Sequence, residues 1–128
     1  MPGFTKGELE IMQILWKHGE MKPAEIQEHF PWEITNSSLR SYLSILLDKG
    51  HLTRHRRGKA YFYRPRTKQE STFRKMLNEL TRACCDGSVE KLLCHLIRSE
   101  KLSEDDLLEL KRIAEASDEE PTSGKEKS

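Results

Sequence analysis

The sequence predicts a mostly α-helical chain with one small β-hairpin, arranged as two domains and a polar tail. Three observations predict it. Apolar residues recur at helical spacing over residues 5–49 and again over 68–116, and the apolar period drops to two just after Gly50. Of the 128 residues, 34% are charged, which leaves little for a large private core and suggests that some apolar surface is buried in a partner.

The first helix starts at Thr5, which with Glu8 forms a T-x-x-E capping box. Leu9, Met12, Ile14, Leu15 and Trp16 follow on one side, and Gly19 ends the helix. The second opens with Pro23 at a first helical position, carries Ile26 and Phe30, and is stopped by Pro31. The third takes Asn36 or Ser37 as its N-cap and runs to about Lys49, with Gly50 as the stop. Leu39, Leu43, Leu46 and Leu47 form its apolar stripe, while Ser37, Ser38, Arg40, Ser41 and Ser44 lie elsewhere on its surface.

Two short strands are expected at 52–55 (LTRH) and 60–63 (AYFY), joined by the turn Arg56-Arg57-Gly58-Lys59 and terminated by Pro65. Tyr61 and Tyr63 alternate with Phe62, so one strand face packs inward and the other presents phenols.

A longer helix is expected over 68–85, with Phe73, Met76, Leu77, Leu80 and Cys84 on one side, until Asp86-Gly87-Ser88 breaks it. Ser88 caps a fifth helix bearing Val89, Leu92, Leu93, Leu96 and Ile97. Ser103, with Asp106 three residues on, opens a sixth that carries Leu107, Leu110, Ile113 and Ala114. The tail 117–128, SDEEPTSGKEKS, has no large apolar residue to bury and is expected to be disordered. The expected domains are therefore 1–66, 67–116 and the tail.

No apolar run approaches the roughly 18 residues of a membrane span, and the N-terminus lacks a signal-peptide pattern, so a cytoplasmic location is expected. Charge is distributed unevenly. Residues 1–34 carry three lysines against six acids, net −3; residues 35–75 carry eleven Lys/Arg against two acids, net +9; residues 76–128 carry eight against thirteen, net −5. A basic block between two acidic ones suits a polyanion such as nucleic acid, the alternative being an ordinary solvated basic surface.

Three helices followed by a hairpin is the order of a winged helix-turn-helix, in which the third helix enters the major groove and the hairpin flanks the duplex backbone. A helix lying against base edges needs compact donors and acceptors outside. Ser37, Ser38, Ser41 and Ser44 supply them, and Arg40 can make a bidentate contact with guanine. Arg54, Arg56, Arg57 and Lys59 in the hairpin suit phosphates, which position without specifying. Serines at a helix start are often only caps, and an Arg-Arg-Gly turn is often only exposed. Their order within the net +9 block favours the DNA-binding reading over the competing one, a winged-helix protein-interaction module that binds no DNA.

An enzyme is not expected. The histidines at 18, 29, 51, 55 and 95 show no metal-site spacing, and no nucleophile elbow or glycine-rich phosphate loop occurs. Cys84, Cys85 and Cys94 have no CxxC spacing; core packing is their expected role, and the alternative is a soft-metal or thiol-sensing site with His95. No cofactor is expected.

The segments TKGELEIMQILWKHGEMKPAEI, SSLRSYLSILLDKGHLTRHRRGKAYFYRP and CCDGSVEKLLCHLIRSEKLSEDDLLELKRI resemble the penicillinase repressor (BlaI/MecI) family of bacterial transcription regulators. The most specific matches are E-L-E-x-M-x-x-L-W at 8–16, D-K-G-x-L-T-R at 48–54, Y-x-Y-x-P at 61–65 and D-G-S at 86–88. The resemblance implies a winged-helix domain, a helical dimerisation domain, and repression by a homodimer on a palindromic operator. It also places DNA-reading positions at Ser37, Ser38, Arg40 and Ser41, and a wing contribution at residues 54–59. The chain departs from the family at Ile45, where some members carry a polar residue, and lacks the paired C-x-C motifs of copper-responsive relatives. Members released through a membrane metalloprotease sensor are cut at an Asn-Phe bond in the fifth helix; the matching pair here is His95-Leu96.

The last three helices also carry more apolar residues than three short helices can bury against one another. Phe73, Met76, Leu77 and Leu80, then Leu92, Leu93 and Leu96, then Leu107 and Leu110 are the expected contributors to a two-fold dimer, with packing against the wing domain as the competing explanation.

Overall fold

A computed structural model of the chain describes residues 3–116. In chain order it contains α1 (Lys6–His18), α2 (Pro23–His29), α3 (Asn36–Asp48), β1 (Leu52–Arg57), β2 (Ala60–Pro65), α4 (Gln69–Cys84), α5 (Val89–Ser99) and α6 (Glu104–Ala116). This is the mostly helical chain with one hairpin that the periodicity predicts. The chain divides into two compact units, one ending at Gln69 and one beginning at Glu70. The tail expected to be disordered lies outside the described residues.

The first unit is built around α1 and α3. The capping box at the start of α1 forms as expected: the Thr5 side chain accepts from the Glu8 amide, and the Thr5 amide donates to Glu8 Oε1 at 3.1 Å. Glu8 is only 2% exposed, and its same oxygen takes Lys49 Nζ at 3.3 Å, tying the end of α3 to the start of α1. Gly7 lets the two helices approach closely, since a Cβ there would fall about 2.4 Å from the Tyr42 ring.

Ile11, Met12 and Leu15 of α1, Ile26 of α2, and Leu39, Leu43 and Leu46 of α3 are the largest fully buried side chains. Each contributes about 1.5–3 kcal/mol by leaving water. Ile11 belongs to this core, whereas Leu9, expected there, is only half-buried.

Helix α3 starts one residue earlier than expected. Thr35 is the N-cap, with Oγ1 accepting from the Ser38 amide at 3.0 Å, so Asn36 and Ser37 are helical. At the other end the Gly50 amide donates to Leu47 and the His51 amide to Leu46, a Schellman closure that needs the left-handed Gly50 (φ 83°).

The strands are also longer than expected. Arg56 and Arg57 belong to β1, opposite Tyr61 and Ala60, and the turn is only Gly58-Lys59, with Gly58 at φ 63° in the first loop position. A glycine-first turn allows the ladder to continue to the tip, and this is why the arginines are paired rather than looped. Tyr63 departs from the expected outward phenol: it is 4% exposed and pairs with Met21 through Met21 N–Tyr63 O (3.0 Å) and Tyr63 N–Met21 O (2.8 Å). The α1–α2 link thus adds a third short edge to the hairpin. After it, Trp16 Nε1 donates to Thr67 O at 2.8 Å, anchoring the end of the wing to α1.

The second unit consists of α4, α5 and α6. Ser88 caps α5 and Ser103 forms a reciprocal cap with Asp106, both as expected. The apolar faces remain open: Phe73 is 60% exposed and Leu80, Leu93, Leu96 and Leu110 are about half exposed. Core packing holds for Cys85, but Cys84 and Cys94 are exposed, because the helices that carry them are too short to enclose a core. Among the described residues no helix is long and apolar enough to cross a membrane.

Candidate nucleic-acid interface

With Leu39, Leu43 and Leu46 buried, the helical period forces the rest of α3 outward. Ser37, Ser38, Arg40, Ser41, Ser44 and Ile45 are all exposed. The Thr35 cap has a direct effect here. Because it meets the orphan amide at the helix start, the hydroxyls of Ser37 and Ser38 are not used as N-caps and face solvent.

Arg40 Nε donates to Asn36 Oδ1 at 2.9 Å, one turn earlier on the same face. The bond uses only Nε and leaves the two terminal nitrogens, the fork that matches a guanine edge, to other partners. Asn36, considered from sequence only as a cap, therefore holds the arginine in place. The signal was available, an Asn four residues before an Arg on a helix face.

The hairpin separates its cations onto two faces. On one, Arg54 and Arg56 lie across from Tyr63 and Tyr61. Arg54 Nη1 donates to Tyr63 Oη at 3.2 Å, and its guanidinium sits 4.3 Å from the Tyr61 ring centre, with that of Arg56 at 5.8 Å. The hydrogen bond that Arg54 donates to Tyr63, and then its charge interactions with Tyr63 and Tyr61, hold its guanidinium even more firmly charged than usual. Arg56 Nε donates to Gly58 O at 3.2 Å, stiffening the turn.

On the other face Arg57 lies over Phe62, 4.1 Å from the ring centre, and His55 stacks on the same ring. Arg57 Nη2 donates to Glu20 Oε2, and Arg57 Nε lies 3.3 Å from His55 Nε2. Arg57, grouped by sequence with the free phosphate ligands, is thus paired with a carboxylate of its own chain. Glu20 carried no local signal, being 37 residues away in the chain. Lys59 at the tip and Arg64 on β2 have no ion-pair partner among the described residues, and Arg64 is a candidate the sequence reading passed over although it lies in the basic block.

Among the described residues no group of three or more His, Cys, Asp or Glu side chains gathers to hold a metal. Cys84, Cys94 and His95 line one open cavity of about 550 Å³ beside Lys91 and Arg98, and Cys85 does not line it.

A family model described as penicillinase repressor matches residues 4–116. The chain is 23% identical over 117 residues to a penicillinase repressor of Bacillus licheniformis, covering 90% of this chain and 91% of that protein. It also resembles the crystal structure of a transcriptional regulator from Thermotoga maritima, with a TM-score of 0.50 and 24% identity over 88% of this chain and 78% of that one. That likeness supports the fold.

Proposed function

The chain belongs to the penicillinase repressor family, and from that premise we propose that it represses transcription as a homodimer seated on a palindromic duplex DNA operator. The observation that carries this reading is the outward face of α3, where four serines and a pre-oriented Arg40 project from a buried leucine stripe in the same unit as a cation-rich wing. Ser37, Ser38, Arg40, Ser41 and Ser44 contact base edges and nearby phosphates. Arg54, Arg56 and Lys59 of the wing engage the backbone.

Homodimerisation is supported by the open apolar faces of α4, α5 and α6, which expose Phe73, Met76, Leu80, Leu93, Leu96 and Leu110 in the single chain. A second copy buries these faces by two-fold symmetry, and two reading helices then meet half-sites about 34 Å apart, one turn of DNA. Release through a membrane metalloprotease sensor would act at His95-Leu96, a bond inside the formed helix α5, and so would require local opening of that helix first.

Selection of bound fragments from the source genome with the purified full chain tests the proposal. Recovery of inverted repeats with half-sites one turn apart is expected. Recovery of sequences without dyad symmetry, or binding that does not weaken as salt rises, would refute it.

A further inference from the structure

The wing holds an oxyanion site whose occupant in the free protein is part of the chain itself. Arg57 and His55 project from the same face of β1, both against the Phe62 ring, and the carboxylate of Glu20 enters between them. Arg57 Nη2 donates to Glu20 Oε2, and His55 Nε2 lies 3.4 Å from the same oxygen. With its proton on Nε2, His55 donates to the carboxylate; with the proton on Nδ1, it accepts from Arg57 Nε at 3.3 Å. In either tautomer the ring closes the site.

A guanidinium binds a carboxylate and a phosphate with the same planar fork of donors, so the two compete for it directly. Glu20 belongs to the link between α1 and α2, which is fixed to the hairpin by the Met21–Tyr63 pairing, so its carboxylate stays at the wing without ordering a free loop. The pair is nonetheless accessible: the Arg57 side chain is 59% exposed and that of Glu20 23%. An ion pair this open is weak enough to exchange.

We propose that Glu20 stands in for a DNA phosphate, neutralising Arg57 in the free protein, and that duplex binding exchanges this carboxylate for a backbone phosphodiester. The proposal rests on the reading of the first unit as DNA-binding. It makes Glu20 a restraint on sequence-independent affinity: while the carboxylate keeps the guanidinium, the wing offers DNA one cation fewer.

The test is the salt dependence of binding to a 40-base-pair random-sequence duplex, with the full chain as wild type, E20Q, R57A, the E20Q/R57A double variant, and E28Q. Glu28 has no ion-pair partner among the described residues, so E28Q matches the net-charge change of E20Q without touching the wing. E20Q is expected to bind several-fold tighter than wild type and E28Q, with the slope of log affinity against log salt steeper by about 1. R57A is expected to change little alone and to abolish the gain in the E20Q background. Equal gains in E20Q and E28Q, weaker binding by E20Q, or the same loss from R57A in both backgrounds would overturn the exchange while leaving the DNA-binding reading standing. A wild-type chain that fails to bind the duplex at low salt would overturn both.

Discussion

Asn36 and Arg40 form a fixed pair on the exposed face of α3, Oδ1 to Nε at 2.9 Å. An arginine on a groove-facing helix otherwise loses most of its rotamer freedom on binding, so fixing it beforehand lowers the entropy cost of the contact. R40A is expected to weaken operator binding by roughly 1–3 kcal/mol and to relax preference at one base position. N36A is expected to cost less, about 0.5–1 kcal/mol, and the double variant no more than R40A alone. Titration of the four variants against operators substituted at single positions measures this coupling; additive losses would show that the pair does not act as a unit.

Lys59 at the hairpin tip has no intramolecular partner among the described residues and suits a phosphate. K59A is expected to weaken binding to every duplex alike and to lower the salt slope by about 1. A loss confined to one operator, measured by competition against unrelated DNA, would mean that the tip reads bases.

The Thr35 hydroxyl caps α3 and so leaves the Ser37 and Ser38 hydroxyls free of the capping role. T35A is expected to cost about 1 kcal/mol in urea unfolding, and T35S close to nothing. In T35A the nearest replacement caps are Asn36, whose side chain then leaves Arg40, and Ser37. Operator affinity should then fall by more than thermal stability accounts for.

Leu80 of α4 and Leu96 of α5 are nearly half exposed in the single chain and belong to the proposed dimer interface. L80E or L96E puts a carboxylate into an apolar contact, at a cost of several kcal/mol. Sedimentation equilibrium is expected to show a shift to monomer. Circular dichroism should show retained helix content, and half-site binding should survive while operator binding is lost. A variant that remains a dimer would move the interface elsewhere.

His18 and His29 stack at the ends of α1 and α2 with ring centres 4.2 Å apart. Partial desolvation, then repulsion from His29 and Lys17, holds the His18 imidazole below its ordinary value of 6.5. The unfolded chain therefore takes up this proton first as pH falls through 6.5, so His18 is neutral to stability above that pH and lowers it below. H18N is expected to flatten the stability-against-pH profile between pH 7 and 5. An unchanged profile in urea unfolding would show that His18 does not titrate this way.

Much of this architecture was legible locally. The capping pairs Thr5–Glu8 and Ser103–Asp106, the stop at Gly50, and the leucine stripe of α3 are short-range features, and each occurs where its residues place it. The errors have local causes too. The Thr35 cap is masked in the sequence by the three cap-forming residues that follow it, and Arg56 and Arg57 resemble turn residues although only Gly58-Lys59 turns.

By itself the sequence determined which residues are helical, where the basic block lies, and which face of α3 is buried, because periodicity, capping and charge are properties of neighbours in the chain. Only the tertiary structure decided what those cations do. Lys49 is tied to Glu8, 41 residues away, and Arg57 to Glu20, 37 residues away, while Tyr63 turns inward because Met21 pairs with its backbone. Such contacts depend on where the chain returns in space, and no local pattern records that an arginine in a basic wing is already paired with a carboxylate.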